Sequence, residues 1–176
     1  MKFRKLRADE IDCRVGQMKQ KGLTLLLYKD ARCDMNILDE TVGPLNWKRE
    51  HTRDNQNCIV SIWDEDKKQW VSKEDTGTQS NTEAEKGLAS DSFKRACVNW
   101  GIGRELYTAP FIWIKNEDYE TYSVAGKDRL KDSFSVVKLT YKKNGDIDGL
   151  AIRNTRSNKL VFVQKPVEGG EDGVER

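Results

Sequence analysis

Apolar residues in this chain come in short, separated groups, and the spacing inside each group indicates an element. Ile11, Val15 and Met18 recur at helical intervals and Gly22 follows as a stop, which predicts a first helix from about Ala8 to Lys19. Leu23 to Tyr28 is a short apolar run, too short for periodicity to separate a buried strand from an extension of that helix. Asp30 is placed to cap a second helix that carries Met35, Leu38 and Val42 on one face and closes at Gly43 and Pro44. From Trp47 the texture changes to that of strands. Asn57 to Trp63 is rich in β-formers, Asp64 to Lys68 is a polar turn, and Gln69 to Lys73 resumes the pattern. These segments form a hairpin, with Trp47 to Arg53 as the third strand of a meander.

The most strongly specified helix follows the break at Thr76 to Ser80. Thr82 and Glu85 have capping-box spacing, with Asn81 as an alternative cap. Ala89, Phe93, Ala96, Cys97 and Trp100 fall within an arc of about 100°, and Gly101 ends the run. Beyond it, Phe111 to Ile114 is a short apolar strand, Asn116 to Lys131 is polar and reads as irregular, and Phe134 to Tyr141, Ile147 to Arg153 and Lys159 to Val163 form a small meander turned at Asn144-Gly145. The expected fold class is α+β: an antiparallel β-meander packed on a long helix, a β-β-β-α core. The core region is 1–114, a β-rich extension of the same domain covers 115–165, and 166–176 is an acidic tail expected to be disordered.

A chain of 176 residues, 36% hydrophobic and 34% charged, suits one modest domain that gains from burial against partner subunits. Its longest apolar runs, Leu23 to Tyr28 and Ala109 to Ile114, fall far short of the roughly 20 residues that cross a bilayer. The basic start, Met1 to Arg7, runs into Ala8-Asp9-Glu10 instead of an apolar stretch, which argues against a secretory signal, so a cytoplasmic location is expected. Cys13, Cys33, Cys58 and Cys97 lie 20, 25 and 39 residues apart and His51 is the single histidine, which disfavours structural zinc and histidine-based triads and leaves reduced, partly buried thiols. The net charge of +2 conceals segregation: residues 127–165 carry ten basic and four acidic groups, whereas residues 23–126 carry thirteen and eighteen.

Candidate chemistry is sparse. Gly101-Ile102-Gly103 is a Gly-x-Gly after a helix, where it reads as a cap and tight turn instead of a phosphate cradle. Asp64, Asp66, Glu74 and Asp75 supply hard oxygen ligands of the kind that hold Mg²⁺ in nucleases, although Asp64 to Asp66 fall in a turn beside Lys67 and Lys68. Trp47, Trp63, Trp70 and Trp113 fall on predicted strands, where alternation leaves both core packing and base stacking open. Lys94 and Arg95 flank the apolar stripe of the long helix, adjacent cations able to meet a phosphate backbone or simply to face solvent.

The stretch Asn81 to Gly103, NTEAEKGLASDSFKRACVNWGIG, preceded by Glu74-Asp75-Thr76-Gly77, resembles the signature of the Rad-fifty-two superfamily of single-strand annealing proteins, closest in style to phage Sak-type recombination proteins. Tyr28-Lys-Asp-Ala-Arg32, Ile37-Leu38-Asp39-Glu40, Gly43 and Trp47 resemble the family's preceding helix. The resemblance implies an ATP-independent protein without cofactor, catalytic residue or metal. It would anneal complementary single-stranded DNA in recombination and double-strand break repair, as a ring or spiral homo-oligomer in the cytoplasm of a phage-infected bacterium. It implies cooperation with an exonuclease or a host single-strand-binding protein. By the same carry-over Lys94 and Arg95 match the paired basic residues of the inner DNA site, and Arg32 lies beside the column of another, which Cys33 occupies. Lys86 on the same helix and Lys73 on the strand before it complete the expected DNA-binding set. The family's Gly-Asn-Ala-Leu-Gly close is replaced by Gly101-Ile-Gly-Arg-Glu-Leu106, so subunit packing there departs from the family. A Mg²⁺-dependent nuclease on the acidic cluster, and a strand-coating protein without annealing activity, are the alternatives.

Overall fold

The structure is a computed structural model that describes residues 1–78 and 84–167, the side chains of residues 84–86 and 127 excepted. Among the described residues it is an α+β fold with two α-helices and antiparallel sheets, and the chain divides into two compact units. The first unit comprises Met1–Lys5 and Lys29–Arg104, the second Leu6–Tyr28 and Glu105–Arg176.

In the first unit, helix α1 (Ala31–Val42) starts where expected, because the Asp30 carboxylate accepts from the Cys33 amide at 2.8 Å and satisfies one of the orphan donors of the first turn. It ends at Gly43, whose φ of +84° favours glycine. The buried face differs from the expected Met35, Leu38 and Val42: Cys33, Asp34, Ile37 and Leu38 are the buried residues. The reason is a charge. Asp34 is fully buried and takes the Lys29 ammonium on both carboxylate oxygens at 2.5 Å, so a polar residue that periodicity assigns to solvent turns inward.

Strands β3 (Trp47–Thr52), β4 (Asn57–Asp64) and β5 (Gln69–Thr76) form an antiparallel sheet in the order β3-β4-β5, as their alternation requires. The register places Trp47, Ile62 and Val71, then Arg49, Val60 and Lys73, then His51, Cys58 and Asp75 on one face. Helix α2 (Ala84–Trp100) meets that face: Phe93 stacks on Trp47 at 6.1 Å between ring centroids, and the Trp100 indole donates to the Val60 carbonyl at 3.0 Å. Of the expected stripe, Phe93, Ala96 and Cys97 are fully buried. Gly77 allows close approach, since a Cβ there would lie 2.6 Å from the Ser92 amide. The capping residues Asn81 and Thr82, the side chain of Glu85 and the tail beyond residue 167 lie outside the described residues. The Gly101 and Gly103 reading holds, with φ of +100° and +69° in the turn that leaves α2. Gly103 has a second reason, because a Cβ there would overlap the Lys29 stem at 2.2 Å.

In the second unit the expected first helix is overturned. Residues Ala8–Glu10 make only a 3₁₀ turn, and Asp12–Lys19 is strand β1, paired with β2 (Gly22–Tyr28). The chain there alternates weakly, and the apolar run Leu23 to Tyr28 supplies a strand whose ladder outweighs the helical spacing of three residues. Strand β6 (Ile112–Lys115) pairs with β2. The segment expected to be irregular holds a 3₁₀ turn and a hairpin of β7 (Thr121–Val124) and β8 (Lys127–Leu130). Strands β9 (Phe134–Tyr141), β10 (Ile147–Asn154) and β11 (Leu160–Gln164) complete a six-stranded sheet in the order β11-β10-β9-β1-β2-β6. Its two edge strands lie near each other, so the sheet is curled around a core of Leu23, Leu25, Ile112, Ile114, Phe134, Val136, Leu150 and Ile152. Polar ties are explicit: buried Asp132 accepts from the Glu120 amide at 2.9 Å and from Asn154 at 2.8 Å, and Glu105 accepts from the Leu6 amide at 2.8 Å.

Replacing Lys29 by Met strands the Asp34 carboxylate and lowers stability by about 3–5 kcal/mol in urea unfolding, whereas Lys29→Met with Asp34→Leu recovers most of that loss. Burial pushes the Asp34 carboxyl up to about 6 even with the Lys29 and Lys94 cations opposing it. Without Lys29 the value rises further, so above about pH 4 the folded variant holds a proton that the unfolded chain has released. The Lys29→Met penalty is therefore larger at pH 7.5 than at pH 4.5, which denaturation at the two pH values measures.

Candidate nucleic-acid interface

The expected DNA-binding residues of the first unit fall on α1, β5 and α2. Arg95 is exposed on α2 and its Nε lies 3.4 Å from Asp75 Oδ1. Asp75 also takes the Asn99 amide at 3.3 Å, and Asn99 in turn donates to the Glu74 carbonyl at 3.0 Å. Lys73, two residues before Asp75 and on the same face of β5, donates to the Asn99 carbonyl at 2.8 Å with its ammonium 4.6 Å from the Trp100 ring centroid. Lys73, Arg95 and Asn99 are thus brought together, because β5 alternates with period two while α2 returns to one face every fourth residue.

Lys94 is half-buried and turned toward α1, where its charge acts on Asp34. Arg32 stays apart, its side chain 84% exposed and paired with Asp30 at 2.9 Å. The Lys86 side chain lies outside the described residues. Sequence reasoning missed Arg49, whose guanidinium sits 4.8 Å from the Phe93 ring centroid, and Lys29, the buried cation beneath Gly103. Arg49 was legible in one respect: it stands two residues after Trp47, on the same face of its strand.

The tryptophans divide between roles. Trp47 packs on Phe93 and donates to Asp39 at 2.6 Å. Trp63 and Trp70 face each other across β4 and β5, edge to face at 5.6 Å, with Trp70 40% exposed and the Lys48 ammonium 5.1 Å from its ring centroid. Trp113 stacks on the exposed Phe111 in the second unit.

The acidic candidates do not converge. Asp64 and Asp75 stand at opposite ends of the β4–β5 ladder, which at the usual rise per residue separates them by roughly 20 Å. Asp64 is bound by Lys67 at 2.6 Å, and Glu74 accepts from Asn57 at 2.6 Å. Among the described residues no group of three or more His, Cys, Asp and Glu is placed to hold a metal ion. Cys58 and Cys97 are buried thiols; burial pushes Cys58 up to about 11 and Cys97 well above the usual thiol range, which makes both poor nucleophiles. Desolvation and the Arg49 cation hold His51 below its ordinary value. The chemistry this arrangement offers is cation and ring contact. No helix among the described residues is long and apolar enough to cross a membrane.

Comparison with known proteins gives the same direction. The family model of Rad52/22 double-strand break repair proteins matches residues 3–124. The single-stranded DNA-binding protein DdrA of Deinococcus radiodurans is 33% identical over 96 residues, 53% of this chain and 46% of that protein, so the match spans a little under half the length of the relative. No solved structure matches. The family match covers well over half of the chain, including both helices and the three-stranded sheet, and the chain therefore belongs to the Rad52/22 family of double-strand break repair proteins.

Proposed function

We propose that the protein binds single-stranded DNA and anneals complementary strands without ATP, in recombination-coupled repair. It would do so through Lys73, Lys94 and Arg95, with Arg32 and Lys86 as flanking contacts. The observation that carries this reading is the cation pair on α2 within a family-matched stretch, Arg95 poised on Asp75 and Lys94 facing α1. Annealing needs backbone neutralisation at fixed spacing and no covalent step, and cations on a rigid helix supply that. The β-β-β-α arrangement repeated around a ring would set the spacing. The open edge of β3 supports such assembly, since an unpaired edge strand is a ready surface for another copy. Cytoplasmic location, phage origin and cooperation with an exonuclease or host single-strand-binding protein belong to the same proposal, as does the absence of enzymatic activity.

Mixing complementary oligonucleotides with the protein should accelerate pairing at low salt without ATP or Mg²⁺. Protection of the strands with no faster pairing would leave only the coating role, and cleavage on adding Mg²⁺ would return the nuclease. Lys94→Ala with Arg95→Ala should weaken single-strand binding and flatten its salt dependence by a slope of about 1 to 1.5. Asp75→Asn removes the carboxylate that competes for Arg95, so binding should tighten severalfold, as titration of a labelled oligonucleotide would show. Native mass spectrometry should find a particle many times the protomer mass; a monomer would refute the ring.

A further inference from the structure

The curled sheet of the second unit has an outer face that none of these roles uses. Across it, β-sheet register sets Leu160 opposite Arg153, Arg153 opposite Ser135, Ser135 opposite Asp12 and Asp12 opposite Tyr28. Adjacent rows place Lys138 opposite Ala151, Arg14 opposite Leu26 and Trp113 opposite Thr24 on that same face, while their neighbours Leu25, Ile112 and Ile152 point into the core. The Arg14 guanidinium lies 5.1 Å from the Tyr28 ring centroid. Phe111 is 76% exposed and stacks on Trp113 at 6.4 Å with an interplanar angle of 14°.

Three cations, Arg14, Lys138 and Arg153, and three aromatic rings, Tyr28, Phe111 and Trp113, therefore share one face. Among the described residues none of these cations has an ion pair, whereas Lys115, Lys131 and Arg156 of the same unit each lie within 4 Å of a carboxylate. The Arg153 Nε is buried with no hydrogen-bond partner. Asp12 is the one carboxylate in these rows.

We infer that this face is a second contact surface for single-stranded nucleic acid, with phosphates on Arg14, Lys138 and Arg153 and bases stacked on Phe111, Trp113 and Tyr28. The inference rests on the reading of the chain as a single-strand-binding protein. An occupant must supply both negative charge for unpaired cations and flat apolar surface for exposed rings, and a single strand supplies both. A duplex hides its base faces. A second copy meeting this face with the same face would cover the rings but bring only Asp12 against the three cations, which is unfavourable.

The test uses the full chain and a labelled oligothymidylate, with a duplex of equal length as control. Arg14→Gln, Lys138→Gln and Arg153→Gln together should lower the single-strand salt slope by about 2 and weaken binding at low salt. Phe111→Ala should weaken single-strand binding about tenfold or more and duplex binding less. Phe111 is exposed, so this variant decides the matter if the triple variant fails to fold. Unchanged affinity and slope in folded variants overturns the inference, and so does a fall in native mass with unchanged affinity, which would assign the face to contact between copies. If the wild-type chain does not bind oligothymidylate, the underlying reading fails as well; if it binds and only the Lys94 and Arg95 variant weakens it, the reading stands and this inference alone falls.

Discussion

A lysine and an aspartate that face each other out of reach of water constrain the first unit. Lys29 and Asp34 stand five positions apart, both buried, and are joined at 2.5 Å. Two charges at that depth are tolerated only together, since removing either leaves the other without solvent or partner. The pair therefore ties the start of α1 to the chain before it. The Lys29 stem also passes the turn that leaves α2, where only a residue without a Cβ fits at position 103. Together with the stacking of Phe93 on Trp47 and the Trp100 bond to Val60, this close passage fixes the C-terminal end of α2.

The same electrostatics shape the candidate interface. Arg95 is pre-aimed by Asp75, and Lys73 by the Asn99 carbonyl and the Trp100 ring. These contacts are weak at an exposed site, which leaves the cations available to phosphate while limiting the rotamer freedom that binding would otherwise remove. On the outer face of the second unit the compensation is by rings instead of carboxylates, as Arg14 over Tyr28 illustrates. A ring beside a cation thus recurs in both units, Trp100 with Lys73 in the first and Tyr28 with Arg14 in the second.

The family match runs from residue 3 to residue 124, so it takes in the whole three-stranded sheet and both helices, and also β1, β2 and β6 of the second unit. Strands β9 to β11 lie beyond it, yet they share a sheet with β1 and β2. The curled sheet therefore joins matched and unmatched parts of the chain through backbone hydrogen bonds.

Much of this was legible in the residue order. The Asp30 cap, the β3-β4-β5 meander, the buried stripe of Phe93, Ala96 and Cys97, and the glycine turn after Trp100 all depend on contacts within a few residues or on simple alternation, which the chain encodes locally. Strand β1 was not legible, because its three apolar residues fit a helix as well as a strand and only pairing with β2 decides between them. The inward turn of Asp34 needed Lys29 to be buried beside it. The gathering of Lys73, Arg95 and Asn99, and the row that runs from Arg153 to Tyr28, join residues 20 to more than 100 positions apart. Such distances are closed by sheet register and helix packing, which are properties of the folded chain, so the sequence by itself determined the elements of the first unit and the types of cation and ring available, and pairing decided β1, β7 and β8. Only the tertiary structure decided which of them meet.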